Sequence, residues 1–321
     1  MDQCSDGQLY TIQAAILRKR GGPLNIESVE TEGPRDDEVL VRLVASGICR
    51  TDIDFCDNWD ETDGAVVLGH EGAGVIERIG KRVRGVKPGD HVVLSYQSCG
   101  HCRQCRSGRP AHCTRFYELN FGFQRLDGSD GLQRSSVRGH FFGQSSFATR
   151  SLATERNLVK VSKDLPLDLL APLGCGLQAG AGTVMNSLKV SRRESIAVFG
   201  AGAVGLAAVM ASRLVGTDPI IGVDIEPGRL KLGLKLGATH AIDNRRQNMA
   251  SRITDITGRG VDCVVETTGN PEMHQLAIDV LNRMASWRSS LEKGARIHCQ
   301  RDGEPSASFR VTRCRRFSYL N

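Results

Sequence analysis

The chain has 321 residues, 40% hydrophobic and 24% charged, enough for two domains that each bury a core without disulfide staples. No apolar run of about 18 residues occurs, and residues 1–10 are polar and acidic where a secretory leader is basic and then apolar, which excludes a membrane partner and points to a soluble, cytoplasmic protein. The net charge of +6 is concentrated in residues 283–316, where nine basic residues face three acidic ones, so the rest is neutral and offers no nucleic-acid footprint.

Residues 13–160 read as short β-rich runs, such as 38–44 and 74–79, separated by Gly, Pro and Asp turns. Within this half, the turn Gly47-Ile-Cys49-Arg50-Thr51-Asp52 and the turn Gly69-His70-Glu71-Gly-Ala-Gly74 each present one residue able to bind a metal. Next comes Cys99-Gly-His-Cys102-Arg-Gln-Cys105, with Cys113 eight residues on. Four thiolates on one short lobe match a closed, tetrahedral structural zinc site, with bonds of about 2.3 Å. With four cysteines in place, His101 and His112 read as solvated loop residues. His91 and His140 read as structural. Seven of the sixteen aromatic residues fall between Phe116 and Phe147.

A third glycine-rich turn, Leu173-Gly-Cys175-Gly, supplies another cysteine. A catalytic zinc takes three protein ligands and keeps one position open, and Cys49, His70 and Cys175 have that stoichiometry. Singly, each has a plainer reading: the cysteines as small buried side chains, the histidine as a hydrogen-bonded turn residue.

From residue 195 onward β-branched runs alternate with helical stretches, the pattern of a parallel sheet. Gly200-Ala-Gly202-Ala-Val-Gly205 follows an apolar strand and opens a helix, the context in which this glycine spacing indicates dinucleotide binding. Asp224 closes the next strand, where a carboxylate accepts ribose hydroxyls and repels a 2′-phosphate, so NAD is expected over NADP. Arg229 reads either as a residue flanking the adenosine ribose or as a solvated helix residue.

Together these segments resemble the zinc-containing medium-chain alcohol dehydrogenases in order and spacing over about residues 10–281. Within that family, Phe141-Phe-Gly-Gln-Ser-Ser-Phe-Ala-Thr149 and residues 173–182 look closest to the aryl-alcohol (benzyl-alcohol) dehydrogenases. The resemblance implies an α/β protein with a GroES-like catalytic domain over 1–172 and a Rossmann-type NAD domain over 173–281. It also implies two zinc ions, the catalytic one held by Cys49, His70 and Cys175. Glu71 sits behind that ion, Asp52 orients the His70 ring, Thr51 is the first proton acceptor, and Arg50 reaches the cofactor pyrophosphate. The histidine that finishes the proton relay in some relatives is replaced by Asp54. The aromatic stretch then lies near the substrate cleft and suits an apolar, aryl alcohol. The reaction implied is NAD-linked interconversion of a primary alcohol and its aldehyde, in a family that forms homo-oligomers.

Residues 282–321 depart from that pattern and read as an aberrant basic tail. The sheet requires a further strand after Leu281, and no β-rich apolar run follows. Codons for residues 282–290 that had lost one cytosine from a CCC run would originally have spelled Asn-Pro-His-Gly-Val-Val-Ala-Leu-Leu, so a shifted reading frame is expected, with a genuine basic tail as the alternative. Loss of the last strands would leave an inactive relic and remove the region through which subunits pair. A zinc-lobe interaction module is a further rival, although it has no need of the dinucleotide loop.

Overall fold

The computed structural model describes residues 8–133, 136–289 and 310–311. They form two compact units that divide at Cys175/Gly176, so the third turn cysteine belongs to the first unit, a few residues beyond the boundary expected at 172.

The first unit contains two five-stranded sheets. In one, Leu9–Leu17 pairs antiparallel with Leu24–Glu32 along its full length. Ile12, Ala14 and Ile16 alternate into the core, as a period of two residues per strand requires. In the other, Glu38–Ser46 lies between Gly72–Ile79 and Arg150–Thr154 and contributes Val39 and Val41 to a core shared with Ile76 and Val92. The turn that leaves Glu38–Ser46 carries Cys49, and the turn that leads into Gly72–Ile79 carries His70.

The second unit is built on a six-stranded sheet. Its strands run in the order His240–Asp243, Ile220–Asp224, Ile196–Phe199, Val261–Glu266, Leu281–Ser289 and Arg310–Val311, and every pairing is parallel. Ala197 and Phe199 pack on one face of this sheet, Ile196 and Val198 on the other. Both faces are therefore covered, which is why these strands read as continuous apolar runs.

One expectation is overturned here. A strand does form after residue 280: Leu281–Ser289 pairs with Val261–Glu266, and Arg310–Val311 pairs with Ser286 and Trp287. Strand pairing is made by main-chain groups, and residues 281–289 contain no proline to remove a donor. Leu281 is buried in the sheet core, and Asn282 donates from its side-chain amide to Asp262. Residues 281–289 and 310–311, most of them read as tail, thus contribute to the sheet. The remaining tail positions, 290–309 and 312–321, lie outside the described residues, and the fold does not test the reading frame.

Candidate metal centres and dinucleotide loop

Ligand atoms of Cys49, His70, Glu71 and Cys175 lie within 4.8 Å of one another. Cys49 is the residue before the helix Arg50–Asn58, so its side chain stands at that helix's N-terminus. The Cys49 and Cys175 sulfurs are 3.9 Å apart, and His70 Nε2 is 3.2 Å from Cys175 Sγ. Tetrahedral zinc with bonds of about 2.0–2.3 Å spaces its ligands by roughly 3.5–3.8 Å, so this set fits the ion. Glu71 is buried beside it. A Cβ on Gly47 would stand 2.1 Å from Glu71 Oε2, so glycine at 47 is what admits that carboxylate.

Asp52 organises the cluster. One carboxylate oxygen accepts from the backbone N–H of Cys49 at 2.9 Å, and the other accepts from Gly69 N–H at 3.1 Å and meets His70 Nδ1 at 3.0 Å. With Nδ1 committed to Asp52 as donor, the Nε2 lone pair faces the sulfurs. Burial opposes charge on the ring, but the Asp52 hydrogen bond, aided by Cys49, outweighs it and raises the His70 pKa to about 9. The Cys49 thiol is correspondingly lowered, chiefly by its sulfur contact with Cys175. A dication held here would take the place of the Nε2 proton.

The other predicted residues of this unit fall close by. Thr51 Oγ1 accepts from the Cys49 thiol at 3.8 Å. Arg50 stands in an exposed ion pair with Asp54 at 2.9 Å. Phe142 stacks on the His70 ring at 4.5 Å, and Phe121 and Phe141 lie 5.0 and 4.9 Å from Phe142.

The second cluster is the cysteine lobe, whose four sulfurs also lie within 4.8 Å of one another. Cys105 Sγ is 3.9 Å from Cys99 Sγ and 3.5 Å from Cys102 Sγ. Backbone N–H groups of Cys99, Cys102 and Cys105 donate to the sulfurs of Cys113, Cys99 and Cys102 at 3.3, 3.4 and 3.5 Å. Backbone donors at Thr114 and Cys105 lower the Cys102 thiol, whereas burial raises Cys113. Four thiolates so close repel unless a cation joins them, and these separations suit a tetrahedral ion. His101 stays outside, its Nδ1 on Cys99 O at 2.9 Å on the exposed side.

In the second unit, Gly200 takes the left-handed conformation at φ +88°, and the helix Ala203–Val215 starts directly after Gly202. A Cβ at Gly205 would meet Gly200 O at 1.8 Å, so packing alone demands glycine there. At Gly202 it would meet no protein atom within 4 Å, which leaves that position open to a ligand's approach to the backbone. Asp224 Oδ2 accepts from Ala201 N–H at 2.6 Å and Oδ1 from Glu226 N–H at 2.8 Å, so the carboxylate also braces the loop. Arg229 Nη1 lies 3.9 Å from Asp224.

Some contributors had no signal in the sequence. Thr267 Oγ1 donates to Phe199 O and Gly200 O at 2.9 and 3.1 Å and closes the glycine turn. Gln144 lies inside a motif already singled out, but its contacts, described below, come from the fold and not from spacing.

Residues 35–163 match the alcohol dehydrogenase GroES-like domain, and residues 203–286 match the zinc-binding dehydrogenase domain. The chain is 46% identical to a geraniol dehydrogenase of Castellaniella defragrans over 270 residues, covering 83% of this chain and 72% of that protein. Among solved structures it is similar to an alcohol dehydrogenase zinc-binding domain protein from Burkholderia ambifaria (48% identity, TM-score 0.85, 88% and 77% coverage) and to benzyl alcohol dehydrogenase from Acinetobacter calcoaceticus (42%, 0.85, 90% and 80%). The GroES-like unit with its metal-ligand cluster, the parallel-sheet unit with its glycine loop and these matches together show that the chain belongs to the zinc-dependent medium-chain alcohol dehydrogenase family, enzymes that act on CH–OH groups.

Proposed function

We propose that the chain interconverts a primary, aryl-type alcohol and its aldehyde with NAD, using one catalytic and one structural zinc ion. The observation that carries this reading is the convergence of Cys49, His70 and Cys175 into a set that fits zinc, with Asp52 fixing the imidazole. A zinc ion bound there supplies Lewis acidity toward an alcohol oxygen, and a bound nicotinamide supplies the hydride acceptor. Asp52 holds His70 in the tautomer that turns Nε2 toward the sulfurs. Thr51 Oγ1, beside Cys49, takes the substrate hydroxyl proton. Glu71 stands behind the ligand set and tunes its affinity.

The four-cysteine lobe holds the structural ion. Gly200, Gly202, Gly205 and Asp224 bind the dinucleotide, and the Asp224 carboxylate favours NAD over a 2′-phosphorylated cofactor. Arg50 and Arg229 bind its phosphate and ribose portions. The aromatic side chains beside His70 support an apolar alcohol, a ring-bearing one as in the benzyl alcohol named for one relative, while the geraniol named for another is apolar but acyclic. No helix among the described residues is long and apolar enough to cross a membrane, and none of the eight cysteines described is in a disulfide; a cytoplasmic location is part of the same reading. Homo-oligomers are part of the same reading.

The test is NAD reduction by zinc-loaded protein with a panel of benzylic, allylic and alkyl alcohols. Turnover is expected with benzyl alcohol and is expected to vanish in Cys175→Ser. A chain that binds both ions yet oxidises none of these alcohols would overturn the reading.

A further inference from the structure

The side chain of Gln144 is buried at 3% exposure and bonds to three backbone groups in two segments of the first unit. Its Nε2 donates to His70 O at 2.9 Å and to Ser95 O at 3.0 Å, while its Oε1 accepts from Gly72 N–H at 3.1 Å. Two carbonyls need donors and one N–H needs an acceptor, so only one orientation of the amide satisfies the site. Ser95 extends the chain, because its hydroxyl donates to Gly174 O at 2.8 Å, in the peptide that leads into Cys175. One amide thus connects the backbone on both sides of Glu71, including His70 itself, to the turn that presents Cys175.

The segment that delivers Gln144 is itself held unusually. His140, Phe142 and Ser145 occupy left-handed backbone at φ +60°, +54° and +49°, a conformation that non-glycine residues rarely adopt. Ser145 Oγ accepts from Phe141 N–H at 2.8 Å and donates to Val67 O at 2.7 Å, and Ser151 donates to Gln144 O. Such a turn persists only when its surroundings over-determine it, and here those surroundings fix where the amide points.

From this geometry we infer that Gln144 is a positioning residue that sets the separation between His70 and Cys175 and thereby the hold of this site on its ion. The inference rests on the zinc reading above. It adds a residue that touches neither metal nor substrate, and it accounts for buried glutamine where an apolar side chain would fill the same space. Replacing Gln144 with leucine keeps much of the volume and strands two carbonyls and an N–H; replacing it with glutamate keeps an acceptor for Gly72 N–H and turns a negative oxygen toward two carbonyls.

The experiment is zinc release from the full-length, zinc-loaded protein to a chromogenic chelator, followed in time for wild type, Gln144→Leu, Gln144→Glu and Cys175→Ser. Release of one ion per chain is expected to be faster by about tenfold or more in both Gln144 variants, with the cysteine-lobe ion retained at the wild-type rate as an internal sign of folding. Should Gln144→Leu fail to fold, Gln144→Glu decides. Unchanged release in a folded Gln144 variant overturns the inference. If Cys175→Ser keeps both ions, it is the zinc reading itself that fails.

Discussion

The Asp52 carboxylate meets His70 Nδ1 at 3.0 Å while the other edge of the same ring lies 3.2 Å from Cys175 Sγ, so the whole imidazole bridges a buried acid and a sulfur. Asp52 also accepts from Cys49 N–H and Gly69 N–H, so it fixes two ligand-bearing turns at once. Asp52→Asn preserves shape but removes the charge that matches the ring proton. Zinc affinity at this site is expected to fall roughly 10–100-fold, measured by chelator competition, while the lobe ion is kept.

The cysteine lobe makes a separable prediction. Cys113→Ser removes a sulfur that accepts a backbone hydrogen bond and belongs to the four-ligand set. Bound zinc should drop by one ion per chain and folding stability by about 3 kcal/mol or more, since a structural ion's binding energy is folding energy. Elemental analysis together with urea unfolding checks both.

The two loop glycines should behave in opposite ways. Gly205→Ala places a methyl 1.8 Å from Gly200 O, so backbone must move and stability falls by about 1–3 kcal/mol. Gly202→Ala meets no protein atom within 4 Å, so stability should change by less than about 1 kcal/mol. Its KM for NAD should nevertheless rise about tenfold or more, because the methyl enters the approach path of the pyrophosphate. Equal stability losses in the two variants would count against a ligand-imposed role for Gly202.

A pH effect arises away from the metal ligands. Burial, helped by the Arg125 charge, lowers the His140 pKa to about 4, so the folded protein keeps this ring neutral. The unfolded chain binds a proton near pH 6.5, so it holds more protons than the native state between 6.5 and 4, and stability falls as pH drops through that window. His140→Asn, whose side chain tolerates the left-handed backbone at φ +60°, should flatten the loss. Urea unfolding at several pH values measures it. An undiminished slope would show that other groups govern acid sensitivity. Glu38, which the buried Arg125 holds below the usual carboxylate range against the effect of burial, acts in the same direction at lower pH.

Where pattern and packing agree, the sequence foretold structure closely. The helix Ala203–Val215 and the strands Ile220–Asp224 and Val261–Glu266 realise the alternation read from residue 195 onward, because each is buried along a regular stripe or on both faces. The four cysteines were legible from short spacing alone. Cys49, His70 and Cys175 were not, since 126 residues separate the two sulfurs, and only resemblance grouped them before the fold did. Gln144 and Thr267 act through backbone groups of other segments, which no one-dimensional spacing encodes. The strand Leu281–Ser289 was missed for the converse reason: an apolar pattern was sought where main-chain pairing with an existing strand sufficed.

The most direct measurement is a crystal structure of the zinc-loaded protein with anomalous scattering recorded on either side of the zinc absorption edge. A peak is expected at about 2.0–2.3 Å from Cys49 Sγ, His70 Nε2 and Cys175 Sγ together, with one position left for an alcohol oxygen. A fully loaded crystal whose only zinc peak lies among Cys99, Cys102, Cys105 and Cys113 would contradict the account.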